Sequence, residues 1–383
     1  GSIYDDDTIS LSYVMEKIKK REPYWPIWVA KAFKYGVDVD TMYKLTGIDK
    51  YFLKQLKEAV DFYENIKRSE VKDIDLASVV AEGKRLGFSD EQLGKALKIS
   101  IDDVREIRKR YNIKPVTKQI DTLAAEWPAK TNYLYLTYNG WEHDISYTSS
   151  KPKIIILGAG GFRIGVSVEF DWSIVMFADE ARKMGYEVIV VNYNPETVST
   201  DWDMNEKLYF DEISVERILD IYEFEKPLGV VAFLGGQISN NIAWELEKRG
   251  VVLLGTSGIS VHRAENRALF SKLLDDLDIK QPPWIAATSV NEVIRFAEDV
   301  GYPVLVRPSY VLSGSAMRIA WNRGELMDFI VKAAKVSSKY PAVVSKFIDG
   351  AIEFEVDAVG DGTTAVGAVI EHIEPAGIHS GDA

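Results

Sequence analysis

The sequence predicts a multi-domain protein: an N-terminal all-α helical domain followed by α/β domains, the first of them an open parallel sheet. Three observations predict this. Apolar residues recur at three- and four-residue steps through the first third of the chain. From Lys153 onward, short and fully apolar runs alternate with helical patterns, as in parallel strands joined by right-handed crossovers. The length of 383 residues exceeds what one hydrophobic core usually serves. The divisions fall at residues 1–127 for the helical domain, 128–152 for a connector, 153–257 for the sheet domain and 258–383 for a second α/β domain.

In the helical domain, Tyr13, Val14 and Ile18, then Trp28, Val29 and Phe33, then Leu53, Leu56, Val60 and Tyr63 form apolar stripes. Asp40-Thr41, Asp49 and Ser89-Asp90 mark helix starts, the last with Gln92 completing a capping box. Gly36, Gly47 and Gly87 stand where helices should stop. Tyr24, Trp25, Trp28 and Phe33 cluster near the start, the aromatic face either of a contact with another copy or of packing on the chain's own sheet domain. Residues 89–110 have the rhythm of a helix-turn-helix, with Arg105, Arg108, Lys109 and Arg110 on its second helix. Asp102, Asp103 and Glu106 occupy the end that would meet bases, where they complement the helix dipole, so the stretch reads as helix–helix packing. The connector carries Tyr133-Leu134-Tyr135-Leu136-Thr137-Tyr138, the alternation of a short strand packed on a neighbouring domain.

Ile154-Ile155-Ile156-Leu157 is a strand buried on both faces, and it runs into Gly158-Ala159-Gly160-Gly161. A helix from Val168 leads to a strand at Val188-Ile189-Val190-Val191, and another near residues 215–222 to Val230-Val231-Ala232-Phe233. The turns at Leu157-Gly158 and Leu234-Gly235-Gly236-Gln237 follow strand carboxyl ends, where such sheets place ligands. A dinucleotide fingerprint would need glycine where Arg163 stands and an acid where Asn192 and Asn194 stand, so a dehydrogenase is the weaker reading.

In the second α/β domain, residues 263–277, 290–300 and 325–336 read as helices, and Trp284-Ile285-Ala286 and Val304-Leu305-Val306 as strands. Three further strands begin at Ala342, Glu353 and Thr364; the second places Glu353, Glu355 and Asp357 on one face, either solvated or holding ribose hydroxyls. From Arg307 to Met317 the chain reads as strand, small-residue loop, strand, the pattern of a phosphate-covering flap. Ser309, Ser313, Gly314 and Ser315 would let backbone N–H groups approach anionic oxygens, beside the planar cation of Arg307.

Composition narrows the classes. A net charge of −12 argues against nucleic acid or an anionic membrane as the main partner. The absence of Cys removes disulfides and thiolate chemistry and fits a reducing, cytoplasmic setting, and the four His show no metal-ligand spacing. No apolar run approaches the roughly 20 residues of a membrane span.

The motifs carry a resemblance. Glu169-Phe170-Asp171, Asn194-Pro195-Glu196-Thr197-Val198-Ser199-Thr200-Asp201, Gly235-Gly236-Gln237, Arg263-Ala264-Glu265-Asn266-Arg267, the flap, and Glu371-His372-Ile373-Glu374 through Gly377-Ile378-His379-Ser380-Gly381-Asp382 stand in this chain. Together they resemble the large subunit of carbamoyl-phosphate synthetase, at its oligomerisation domain and the start of its second ATP-grasp half. The resemblance implies a pre-ATP-grasp sheet domain at 153–257 and a partial, truncated ATP-grasp domain at 258–383. It also departs: the family usually has Pro where Gly161 stands, Gln-Gly or Ser-Ser where Val166-Ser167 stand, and Asp where His262 stands.

By that resemblance, Arg267 and Arg307 contact ATP phosphates, Lys346 and Ile348 meet adenine, and Glu353 takes the ribose hydroxyls. Gly377, Ile378, His379 and Ser380 line the nucleotide and acceptor side, with His379 and Arg307 as the catalytic pair. The implied cofactors are ATP and Mg²⁺, whose ligands in the family follow the His-Ser-Gly-Asp stretch, so none is expected within the chain. The implied activity is ATP-dependent phosphorylation of carbamate on the way from bicarbonate to carbamoyl phosphate, for arginine or pyrimidine synthesis. The implied partners are a glutamine amidotransferase subunit or domain and a second copy through the helical domain. The fragment alone is expected to be inactive. The alternatives are another ATP-grasp carboxylate–amine ligase or carboxylase subunit, and a non-catalytic scaffold or effector-binding module.

Overall fold

The computed structural model describes residues 4–69, 75–162, 168–287, 289–308, 317–336 and 342–373. The chain divides into two compact units, Gly1–Gly161 with Val168–Val230, and Phe162–Ser167 with Val231–Ala383.

The first unit opens with seven helices: α1 (Leu11–Lys19), α2 (Trp25–Lys34), α3 (Val39–Thr46), α4 (Lys50–Arg68), α5 (Leu76–Arg85), α6 (Asp90–Leu97) and α7 (Ile101–Arg110). Short polar side chains start them. Asp49 caps α4, Ser89 and Gln92 form the capping box of α6, and Ser100 with Asp103 forms a second box at α7. The acids at the start of α7 thus include a cap. The cap of α3 is Asp38, two residues before the expected Asp40, because its carboxylate reaches the Thr41 N–H. Gly36, Gly47 and Gly87 take positive φ just past helix ends, as the stop signals require. One core gathers Val29, Phe33, Met42 and Leu53 and another Val80, Leu93, Leu97 and Val104. Of the expected aromatic surface cluster, Tyr24 and Trp25 are 69% and 45% exposed, whereas Trp28 and Phe33 are core.

A six-stranded sheet follows: β1 (Val116–Gln119), β2 (Tyr133–Thr137), β3 (Lys153–Leu157), then α8 (Val168–Lys183), β4 (Glu187–Val191), β5 (Lys207–Tyr209), α9 (Val215–Glu225) and β6 (Gly229–Val231). The strand order is β1-β2-β5-β4-β3-β6. The sheet is mixed rather than purely parallel, because β1 runs antiparallel to β2 while β2, β5, β4 and β3 pair in parallel. The helical part ends at Arg110, and residues 116–119, read as helical, form the sheet's edge strand. Residues 133–137, read as packing on a neighbouring domain, are hydrogen-bonded into the sheet. Their alternation sends Leu134 and Leu136 into the core and leaves Tyr135 outside. At β3 every residue is buried, as a doubly covered strand requires.

Within this unit a buried ionic cluster ties the helices to α9. Arg108 bridges Asp90 at 2.5 Å and Asp220 at 2.6 Å, and Arg105 bridges Asp220 at 2.9 Å and Glu223 at 2.7 Å. Lys84 pairs with Asp90 and Glu216, and the Tyr138 ring lies 5.5 Å from the Arg108 guanidinium carbon. Two of the cations that the helix-turn-helix rhythm would turn toward DNA are therefore spent on internal carboxylates.

The second unit carries α10 (Gln237–Lys248), α11 (Gly258–Glu265), α12 (Arg267–Asp276), β7 (Trp284–Ala287), α13 (Val290–Val300), β8 (Val304–Pro308), β9 (Arg318–Ala320), α14 (Arg323–Val336) and β10 (Ala342–Lys346). The strands form an antiparallel sheet in the order β7-β10-β8-β9. A separate hairpin joins β11 (Phe354–Gly360) to β12 (Ala365–Glu371). The expected single helix over 263–277 is two helices. Asn266 leaves helical geometry at φ −85°, ψ 109°, and its side chain accepts from the Ala268 and Leu269 amides. At Gly258, α11 approaches α10 so closely that a Cβ would stand 2.8 Å from the Trp244 Cα. His262, where the family usually has Asp, stacks on Trp244 at 6.1 Å. Among the described residues, no helix is long and apolar enough to cross a membrane.

Candidate functional site

In the first unit the strand order reverses beside β3, and open sheets of this kind bind ligands at the carboxyl end of that strand. There Gly158 sits so close to Asn192 that a Cβ would fall 2.4 Å from its side chain. The buried Asn192 carboxamide oxygen accepts from Gly160 N at 3.0 Å and Asn194 N at 3.3 Å. The residue that stands where a dinucleotide fold needs an acid is thus turned onto the glycine loop. The Asn194-to-Asp201 stretch is a turn after β4 with a 3₁₀ segment at Val198–Thr200. Asn194 accepts from Glu196 N, Thr200 Oγ1 donates to Thr197 O at 2.7 Å, and buried Asp171 accepts from Ser199 N at 3.2 Å. The Thr197 and Ser199 hydroxyls are buried without a hydrogen-bond partner among the described residues. Sequence reasoning marked the string but missed that Asp171, from the Glu169-Phe170-Asp171 motif, is its anchor. Asp171→Ala is expected to lower stability by about 1–3 kcal/mol and to speed hydrogen exchange at the Ser199 amide. Unchanged exchange there would refute the anchoring role.

In the second unit β8 delivers Arg307 opposite Val343 of β10, and Arg267 opens α12. Arg307 Nη2 donates to the buried Ser345 Oγ at 3.3 Å, while its Nε is sealed from solvent with no hydrogen-bond partner among the described residues. Burial, and then the charge of nearby Arg267, press the Arg307 guanidinium below its ordinary value. Burial likewise depresses Arg267, partly offset by Glu265. Two half-buried cations that repel each other, one with a spare donor, form a site complementary to a multiply charged anion.

The other expected site residues separate into two groups. Lys346, at the end of β10, donates its Nζ to Gly301 O at 3.0 Å and Tyr302 O at 2.9 Å, so its ammonium holds the turn before β8. Ile348 is 57% exposed, and Glu353 lies just before β11, its carbonyl accepting from His372 N at 3.1 Å. Of its strand neighbours, Glu355 pairs with the buried His372 at 3.0 Å. Ser309, Ser313, Gly314 and Ser315 of the flap, and Gly377, Ile378, His379 and Ser380, lie outside the described residues; the strands flanking the flap, β8 and β9, pair antiparallel.

Three family models match in succession. Residues 2–112 match the "carbamoyl-phosphate synthetase large chain, oligomerisation domain", residues 150–263 the "carbamoyl phosphate synthase preATP-grasp domain", and residues 266–382 the "carbamoyl-phosphate synthase L chain, ATP binding domain". A helical module, a sheet domain and an ATP-binding domain in tandem define a multidomain α/β nucleotide-binding class. Curated relatives are more particular. The chain is 60% identical over 374 residues to the carbamoyl phosphate synthase large chain of Hyperthermus butylicus, covering 97% of this chain and 35% of that one. It is 56% identical to that of Sulfolobus acidocaldarius (100% and 36%) and 53% identical to that of Pyrococcus furiosus (100% and 35%). The chain belongs to the carbamoyl-phosphate synthetase large-chain family. It spans about a third of the length of the curated relatives it matches.

Proposed function

We propose that the polypeptide to which this chain corresponds makes carbamoyl phosphate from bicarbonate and ammonia or glutamine nitrogen with ATP, and that this chain serves the half that phosphorylates carbamate. The observation that carries the reading is the buried Nε of Arg307, without a hydrogen-bond partner among the described residues, beside the charge of Arg267. Both guanidiniums would grip the ATP phosphates, and their planar forks would hold the transferring group in line. Backbone donors of the Ser309–Ser315 flap would cover it, Glu353 would take the ribose, Lys346 and Ile348 would border adenine, and the 377–380 stretch with His379 would face the acceptor carbamate. Magnesium, when bound with ATP, would neutralise phosphate charge. Its ligands would follow the His-Ser-Gly-Asp stretch, as the family resemblance implies. Association with a second copy would use the helical module, whose exposed Tyr24 and Trp25 supply aromatic surface, and nitrogen would come from an amidotransferase partner. The setting is the cytoplasm and the product feeds arginine or pyrimidine synthesis.

An assay for carbamoyl phosphate on the purified chain and on the full-length polypeptide tests this. The expected result is synthesis by the full polypeptide and none by the chain alone, which still binds nucleotide. Robust magnesium-dependent synthesis by the chain alone would overturn the assignment of the metal ligands. Inactivity of the full polypeptide would overturn the reaction.

A further inference from the structure

The edge strand β1 is held on its outer side by the loop that joins β2 to β3. Thr117 N donates to His143 Nδ1 at 3.0 Å and Gln119 N to Asp144 Oδ2 at 3.0 Å, while Asp144 N donates to Thr117 O at 2.9 Å. Left bare, such groups at a sheet edge invite pairing with a further strand. The His143 contact also fixes a protonation state. A backbone N–H can only donate, so Nδ1 holds a lone pair and the ring proton sits on Nε2. The Tyr147 hydroxyl lies 2.8 Å from the same Nδ1 and 2.6 Å from Oγ1 of the fully buried Thr117. The imidazole is set edge-on to Tyr147 and to Phe224 of α9, at 5.1 and 5.2 Å, and those two rings stack at 5.5 Å. A proton added at Nδ1 would point into the Thr117 N–H, so the closed loop has no place for an imidazolium.

The charges around the ring come from four elements. Lys118 of β1 pairs with Asp144, and Glu142 and Asp144 belong to the loop itself. Lys207 of β5 stands 5.5 Å from the Tyr147 ring centre, and Lys153 of β3 donates to Tyr147 O at 2.8 Å; both lysines also bind Glu225 of α9. Partial burial, and then the charge of Lys118, hold the imidazole below its ordinary value. Burial works against Asp144, yet its bonds from Lys118 and the Gln119 N–H keep it below the usual carboxylate range, and burial pushes Tyr147 up to about 12. His143 is thus the group among these three whose charge changes in mildly acid solution.

We propose that His143 makes this loop an acid-released clasp on the β1 edge, closed while the ring is neutral and open once it is protonated. A histidine whose folded-state pKa is depressed contributes stability above its unfolded pKa, and the contribution is lost as pH falls through the folded value. Release frees the Thr117 and Gln119 amides for water and uncovers the strand edge, while the buried β3 and β4 stay paired. Nothing in this depends on the ATP-binding domain.

Hydrogen exchange of the whole chain, followed on peptides covering residues 116–119 and normalised to the unfolded rate at each pH, reads the clasp directly. The expected result is a loss of protection there of about tenfold between about pH 7.5 and 5.5, with residues 153–157 of β3 unchanged. His143→Gln keeps an acceptor and cannot titrate, so its protection over the same residues is expected to be flat across that range, whatever its level. Nitrogen spectra of the imidazole are expected to show the Nε2–H tautomer at neutral pH. Flat protection in the unaltered chain, the same pH dependence in His143→Gln, or an Nδ1–H tautomer would each overturn the proposal. A parallel loss at β3 would overturn it as well, because acid would then be loosening the whole sheet rather than its edge.

Discussion

Arg108→Ala is expected to lower the stability of the first unit by about 3–5 kcal/mol, as removing one partner of a buried ion pair does. Its guanidinium, 4% exposed, stands between Asp90 and Asp220, whose side chains are 1% and 4% exposed. Burial alone would push the arginine toward neutrality. Asp220, Tyr138, Asp90 and Glu216 outweigh it and raise its pKa. Without Arg108 two carboxylates are left in a nearly dry cluster with Lys84 and Arg105 as the remaining cations, and α7 loses one of its ties to α9. Urea denaturation would show the loss as a lower midpoint. A triple replacement, Arg108→Met with Asp90→Leu and Asp220→Leu, is expected to recover much of it, because the cost lies in stranded charge rather than in lost attraction. A loss below about 1 kcal/mol for Arg108→Ala would place the cluster with ordinary surface pairs.

Arg307→Ala is expected to weaken ADP and ATP binding about 100-fold, and Arg307→Lys about tenfold, since lysine keeps the charge and loses the planar fork. The same Ala substitution is expected to leave the second unit as stable as before or slightly more so. It removes a half-buried cation that faces the like charge of Arg267 and carries a donor with no partner among the described residues. Opposite movement of affinity and stability is the mark of a group placed for a ligand. Calorimetric titration with ADP and a thermal melt of the same variant decide it. Lost stability with unchanged affinity would make Arg307 a structural residue of β8.

The family of this chain was legible in residues whose identity is itself the signal. The Asn-Pro-Glu-Thr-Val-Ser-Thr-Asp string, the Ser89–Gln92 capping box and the unbroken apolar run of β3 each state their local structure, because caps, turns and doubly buried strands depend on neighbours within a few residues. Partners that are remote in sequence were not legible. That Asn192 turns onto the glycine loop, that Asp171 holds the turn at Ser199, and that Arg105 and Arg108 are drawn inside by Asp220 depend on side chains 28 to 115 positions away. The edge strand Val116–Gln119 escaped for the same reason: its four residues carry no clear period, and only pairing with β2 makes them a strand. Local chemistry was therefore written in the sequence. Whether a charge serves as cap, clamp or ligand was decided by what the tertiary fold buried beside it, because desolvation sets the energy of a charge and depends on the whole fold.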